Sequence, residues 1–117
     1  MNKRQIGTFY EREAVRYLQE QKVQILELNY RCRQGEIDII GYDDSCLVFF
    51  EVKARRSLKN GYGTEAVNYH KQRNICRVAD YYRMKHGIGE FTSIRYDCIS
   101  IDEGNLCWIK NAFEHIF

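Results

Sequence analysis

The chain contains no proline. No helix or strand is therefore interrupted by a residue lacking an amide donor. No apolar run approaches the length that crosses a bilayer, so no membrane role is expected. The basic pair Lys3-Arg4 is not followed by an apolar stretch of secretory type, so no signal peptide is expected and the expected location is the cytoplasm. The five cysteines, Cys32, Cys46, Cys76, Cys98 and Cys107, are odd in number, and no two stand in C-x-x-C spacing. That pattern argues against a disulfide framework or a zinc site. The cysteines read instead as small core side chains in a reducing compartment. His70, His86 and His115 show no metal spacing and no nucleophile partner, and read as surface residues. The formal charge of +2 says little by itself about partners.

The local charge distribution says more. Nine basic residues lie between Lys53 and Lys85, opposed only by Glu65 and Asp80, a local excess of about +7. Such a segment suits a polyanion as well as a solvated helix face. At 117 residues the chain fits one domain, 1–117, with a single core.

Apolar periodicity places the elements. Ile6, Tyr10, Ala14 and either Tyr17 or Leu18 recur at helical spacing and predict a helix over about 5–21. Glu11 falls on the edge of its inward stripe. Val23 to Arg31 reads as a strand, with Val23, Ile25, Leu28 and Tyr30 facing the core. A polar turn leads to a second strand over 36–42. Asp43-Asp44-Ser45 is turn chemistry. The third strand, 46–55, centres on Leu47-Val48-Phe49-Phe50, a run expected where a strand is covered on both faces. After a glycine-containing loop, Thr64 and Glu65 read as the cap and first turn of a second helix that runs to about His86. Its inward stripe is Val67, Lys71, Ile75, Val78, Ala79 and Tyr82, with Lys71 the anomalous cation. Strands over 91–101 and 106–110 follow, then a tail from Asn111. The order αβββαββ implies a mostly antiparallel or mixed sheet with helices on its faces.

The charges inside these strands point to chemistry. Alternation puts Glu51 and Lys53 on one face. If the hairpin register sets Asp38 opposite Glu51 or Phe49, all three groups converge; a one-residue slip would separate them. Two adjacent carboxylates repel each other, and a divalent cation removes that penalty. Mg²⁺ takes hard oxygen donors and few carboxylates. Asp38, Glu51 and the backbone carbonyl of Val52 supply such a set. Lys53 is placed to orient a water or to neutralise charge on a phosphate. Glu11 adds a carboxylate from the first helix. Lys71 either snorkels out at the helix edge or finds its anion in a substrate phosphate, and Gln72 positions a water or a backbone oxygen. A structural ion-pair network is the competing reading for the three strand charges. For Arg95 and Asp97 a structural salt bridge is the expected one.

Asp38 followed by Glu51-Val52-Lys53 resembles the PD-(D/E)xK nuclease signature, with Ile37 in the variable proline position. The similarity extends through Glu11, Asn29-Tyr30-Arg31, Gly35-Glu36-Ile37-Asp38, Phe50 to Arg55, Lys71, Arg95-Tyr96-Asp97 and Trp108 to Phe113. Over nearly its whole length the chain resembles the bacterial YraN-like (UPF0102) family, itself similar to archaeal Holliday-junction resolvases. The resemblance implies a restriction-endonuclease-like α/β/α core, with a central mixed sheet of about five strands flanked by helices. It also implies a Mg²⁺- or Mn²⁺-dependent endonuclease acting on branched or otherwise structured DNA. Asp38, Glu51, Lys53 and Glu11 would be catalytic. Arg55, Arg56, Lys59, Lys71, Gln72 and Arg73 would line the nucleic-acid path. A junction has two-fold symmetry, so a resolvase of this kind would act as a homodimer. The alternative is a catalytically inactive nucleic-acid-binding module of the same fold, acting with a partner.

Overall fold

The computed structural model describes residues 3–55, 67–102 and 104–117. Its elements follow the expected order: α1 (Lys3–Glu20), β1 (Gln24–Cys32), β2 (Gly35–Asp43), β3 (Cys46–Arg55), α2 (Tyr69–Lys85), β4 (Ile94–Asp102) and β5 (Asn105–Phe113). The five strands form one sheet in the order β1-β2-β3-β4-β5. β1 pairs antiparallel with β2, β2 with β3, and β4 with β5. β3 and β4 run parallel, with α2 between them in the chain. Parallel neighbours need a crossover, and a helix supplies it.

The apolar run of β3 sets the layering. Leu47 and Phe49 join the core beneath α2, with Ile75, Val78, Ala79 and Tyr82. Val48 and Phe50 join the core beneath α1, with Ala14 and Leu18. Phe49 and Phe50 are both 1% exposed, so adjacent residues of one strand fill opposite layers. Each such burial is worth about 1.5–3 kcal/mol. The expected α/β/α arrangement with a mixed sheet is the one observed. No described helix is long and apolar enough to cross a membrane.

Several local expectations are corrected. Leu28 does not face the core; it is 52% exposed, while Tyr30 packs beneath α2. Simple alternation would put both on one face. The β1–β2 register passes from Leu28–Ile39 to Tyr30–Ile37, and Asn29 between them adopts φ +51°. On β2, Ile37 and Ile39 likewise lie in opposite cores, with the pairing register unchanged. A second irregularity lies between Ile25 and Glu27. Near it, a side chain on Gly41 would place its Cβ 2.7 Å from the Gln24 carbonyl oxygen, so the close approach of the two strands requires glycine.

Thr64 and Glu65 lie outside the described residues. The helix begins at Tyr69, and its N-cap is Asn68, whose side chain accepts from the Lys71 amide at 2.9 Å. β5 does not stop at Lys110. It continues to Phe113, past Asn111 at φ +54°. His115 is not a surface residue either: its side chain is 16% exposed, and its Nδ1 lies 2.6 Å from the Tyr96 hydroxyl. The cysteines are free thiols; Cys76 and Cys98 are buried, Cys32 and Cys46 are half-buried and Cys107 is exposed.

Asp97, fully buried, locks the far end of the sheet. It accepts from Arg95, from Trp108 Nε1 at 2.8 Å and from the Asn111 amide at 2.8 Å. Arg95 also bridges Asp43 at 2.8 Å. These bonds raise the Arg95 guanidinium further above its ordinary value, and the same guanidinium and Lys110 hold the Asp43 carboxyl below its own. The network pins β4 to β5 and both to the β2–β3 turn, the structural role expected of Arg95 and Asp97.

Candidate active site

The site lies where β2 and β3 part. Their ladder runs from Asp43–Cys46 to Ile39–Phe50. One step further, the register brings Asp38 opposite Glu51. There the backbone ladder gives way to a side-chain bond: the Val52 amide donates to Asp38 Oδ2 at 2.8 Å. The amide and carbonyl of a strand residue leave the same edge of the strand. Val52 therefore turns its carbonyl toward β2 as well, beyond the last ladder pair.

Glu51 and Lys53 project toward α2, because Val48, Phe50 and Val52 belong to the opposite core. Glu51 is buried and Lys53 is half-buried. Lys71, in the first turn of α2, reaches down to this face, with Nζ 3.2 Å from Glu51 Oε1. Asp38 and Glu51 thus meet, Lys53 shares the face of Glu51 by strand alternation, and Lys71 joins Glu51 from the helix. Its anion is Glu51; a substrate phosphate was the sequence-based expectation.

The electrostatics follow from burial. The Asp38 carboxyl is pushed up to about 8, first by desolvation and then by the neighbouring Glu51 charge, against the lowering bond from Val52. More distant Glu11 and Glu36 add to the rise. Glu51 is also raised by burial; the Lys71 ammonium and hydrogen bonds from Lys71 and Asp38 pull the other way. Lys71 is lifted above its ordinary value because the surrounding carboxylates outweigh its own desolvation. Two carboxylates in poor contact with water cannot both carry charge cheaply. They hold a proton, an ammonium or a metal.

Cys98 pairs in register with Glu51 and floors the site. Burial pushes its thiol up to about 11, so it stays protonated and apolar in character.

The remaining sequence-based candidates separate. Glu11 belongs to α1, on the other side of the sheet. It lines a groove of about 360 Å³ with Arg12, Arg16, Leu28 and Asn29, and its charge reaches Asp38. The Gln72 side chain is engaged in structure: its Nε2 donates to the Val67 carbonyl at 2.6 Å and ties down the start of α2. Arg73 is exposed on α2. Arg55 ends β3 as a backbone position, and Arg56 and Lys59 lie outside the described residues.

Glu36 is not among the residues expected at the site. Its charge acts on Asp38, Glu51 and Lys71, while its own carboxylate meets Arg31 at 3.4 Å. The signal for it was its place two residues before Asp38.

Among the described residues, no group of three or more His, Cys, Asp and Glu side chains forms a metal cage. The donor set is instead two carboxylates and a strand carbonyl. That set fits Mg²⁺ or Mn²⁺, which take oxygen donors, need only one or two carboxylates and keep several waters. It does not fit zinc, which wants histidine or cysteine.

A family model described as "Uncharacterised protein family UPF0102" matches residues 10–101. A UPF0102 protein of Lachnoclostridium phytofermentans is 44% identical over 114 residues, 97% of both chains. One from Clostridioides difficile (strain 630) is 42% identical over 115 residues, 97% of this chain and all of the relative. One from Legionella pneumophila (strain Corby) is 39% identical over 110 residues, 92% of this chain and 93% of the relative.

Proposed function

We propose that this chain, which belongs to the UPF0102 family, is a divalent-metal-dependent endonuclease that hydrolyses phosphodiester bonds of DNA, with a preference for branched substrates, in the cytoplasm. The observation that carries this reading is the Asp38–Glu51 pair: two carboxylates held together where a backbone ladder breaks, each driven above its ordinary pKa by burial. Buried carboxylate pairs of this kind cluster at functional sites, and a divalent ion is one way to offset their cost.

In this mechanism Asp38, Glu51 and the Val52 carbonyl hold Mg²⁺ or Mn²⁺. When bound, the ion lowers the pKa of a coordinated water and offsets charge on the phosphate. Lys53, on the Glu51 face, orients the attacking water and stabilises the oxyanion as it develops. Glu11 acts on Asp38 through its field from the α1 side. Arg55, Arg56, Lys59 and Arg73 contribute positive charge along the phosphate path, which predicts binding that weakens as salt rises. Resolution of a four-way junction would pair two copies about its two-fold axis.

One observation favours a second reading. The Lys71–Glu51 ion pair already satisfies a site carboxylate without any metal. A module that binds nucleic acid and leaves catalysis to a partner is compatible with that pairing.

The test is a cleavage screen over duplex, flap, single-stranded and four-way DNA, with Mg²⁺, Mn²⁺ or chelator. The nuclease reading expects metal-dependent cutting that Asp38→Ala, Glu51→Ala and Lys53→Ala each abolish. Metal-independent binding without cutting, unchanged by Asp38→Ala, would establish the second reading instead.

A further inference from the structure

We propose that Lys71 is a displaceable counter-ion: its ammonium occupies the cation's place on Glu51 in the metal-free protein, and metal binding releases it toward the substrate phosphate. This deepens the metal-centre reading and rests on it.

The first argument is local. Lys71 lies in the first turn of α2, where the helix dipole is positive and favours acidic side chains. That turn contains no acidic residue. The Asn68 cap fixes the Lys71 amide at 2.9 Å, so the residue is held in this unfavourable position. A cation there does not serve the helix. It serves an anion, and in this structure the anion is Glu51, 3.2 Å away.

The second argument is the asymmetry of the pair. The Glu51 side chain is 11% exposed and the Lys71 side chain 50%. Glu51 has little contact with water, and leaving it alone and charged would be costly. Lys71 can reach water by rotating its stem, without unpacking a core. The pair therefore opens only when another cation takes over Glu51, and the lysine is the partner that moves.

The third argument is chemical. An ammonium has three donors and no lone pair, so it cannot ligate a metal. A divalent ion and an ammonium on one carboxylate repel each other. Mg²⁺ or Mn²⁺ entering between Asp38 and Glu51 must compete with Lys71. Once displaced, Lys71 remains tethered by the first turn of α2, next to the centre. A phosphate drawn to that centre then competes with Glu36 for the charge of Lys71. The same side chain lowers metal affinity in the free protein and adds a phosphate contact in the complex.

The two roles predict effects of opposite sign. Calorimetric titration of Mn²⁺ should show Lys71→Met binding at least about fivefold more tightly than wild type, a coupling of the usual size between sites. In chelator the variant should melt at a lower temperature, because Glu51 loses its partner, and saturating Mn²⁺ should erase the difference. Single-turnover cleavage at saturating Mn²⁺ should be slower. Lys85→Met, which removes the same charge from the last turn of α2, should leave Mn²⁺ affinity unchanged. Should Lys71→Met fail to fold, Lys71→Gln, which keeps a donor but no charge, takes its place. Mn²⁺ affinity equal to or weaker than wild type in the Lys71 variant overturns the proposal while leaving the metal centre standing. No Mn²⁺ binding by wild type overturns both.

Discussion

The Val52 amide donates to Asp38 Oδ2 at 2.8 Å, just beyond the point where the ladder between their strands ends at Ile39–Phe50. This bond holds a carboxylate against the parting strands. It separates what Asp38 does for the fold from what it does for the metal. An asparagine keeps the acceptor and drops the charge, whereas an alanine drops both. In chelator, Asp38→Asn should melt at or above the wild-type temperature, since the carboxyl is already disfavoured as an anion. Asp38→Ala should lose about 1–3 kcal/mol, the cost of an orphaned amide. Both should lose Mn²⁺ binding, measured by calorimetry beside the thermal melts.

Asp97 is the structural counterpart. It is fully buried and accepts from Arg95, Trp108 and the Asn111 amide. Breaking a buried pair from one side leaves a buried charge behind. Asp97→Ala should therefore cost about 3–5 kcal/mol in urea denaturation. Arg95 retains Asp43 as a partner, which places the loss toward the lower end. Mn²⁺ affinity of the folded fraction should be unchanged, because the network lies on the α1 side of the sheet and away from Glu51.

Asn68 caps α2 through its bond to the Lys71 amide. Asn68→Ala should destabilise the protein by about 1 kcal/mol. It should also loosen the turn that aims Lys71 at Glu51. Denaturant midpoints and hydrogen exchange of the first α2 turn measure the two effects.

His115 makes the stability pH-dependent. Burial holds its imidazole below the ordinary 6.5, aided by Arg77 and Arg83 and opposed by Asp80. The unfolded chain therefore takes up this proton first as pH falls. The contribution is fully present above about pH 6.5 and is lost as pH drops through the depressed folded value. Between pH 7.5 and pH 5.5, wild type should lose more stability than His115→Gln in matched urea titrations, if other groups contribute equally to both.

Much of this architecture was readable from residue order. The Leu47-Val48-Phe49-Phe50 run announced a doubly covered strand, and the two cores divide its side chains in alternation. Asp38, Glu51 and Lys53 were readable as a group because they interrupt that apolar pattern with charge. The meeting of Asp38 with Glu51 depended on a hairpin register that turn chemistry at Asp43–Ser45 makes natural. What periodicity could not show was its own failure. Asn29 in a left-handed conformation swaps the faces of β1, so Leu28 turned outward against expectation. The same kind of break at Asn111 hid the last turns of β5. Long-range partners were equally hidden. Lys71 meets Glu51 across 20 residues, and His115 meets Tyr96 across 19; neither spacing has a local signature.

The central claim is that Asp38, Glu51 and the Val52 carbonyl form one cation site. Anomalous diffraction from crystals grown with Mn²⁺ tests it most directly. The account predicts a peak within bonding distance of oxygens of both carboxylates and of Val52, with Lys71 turned away from Glu51. A Mn²⁺-saturated crystal with no peak there, and Lys71 still on Glu51, would contradict it.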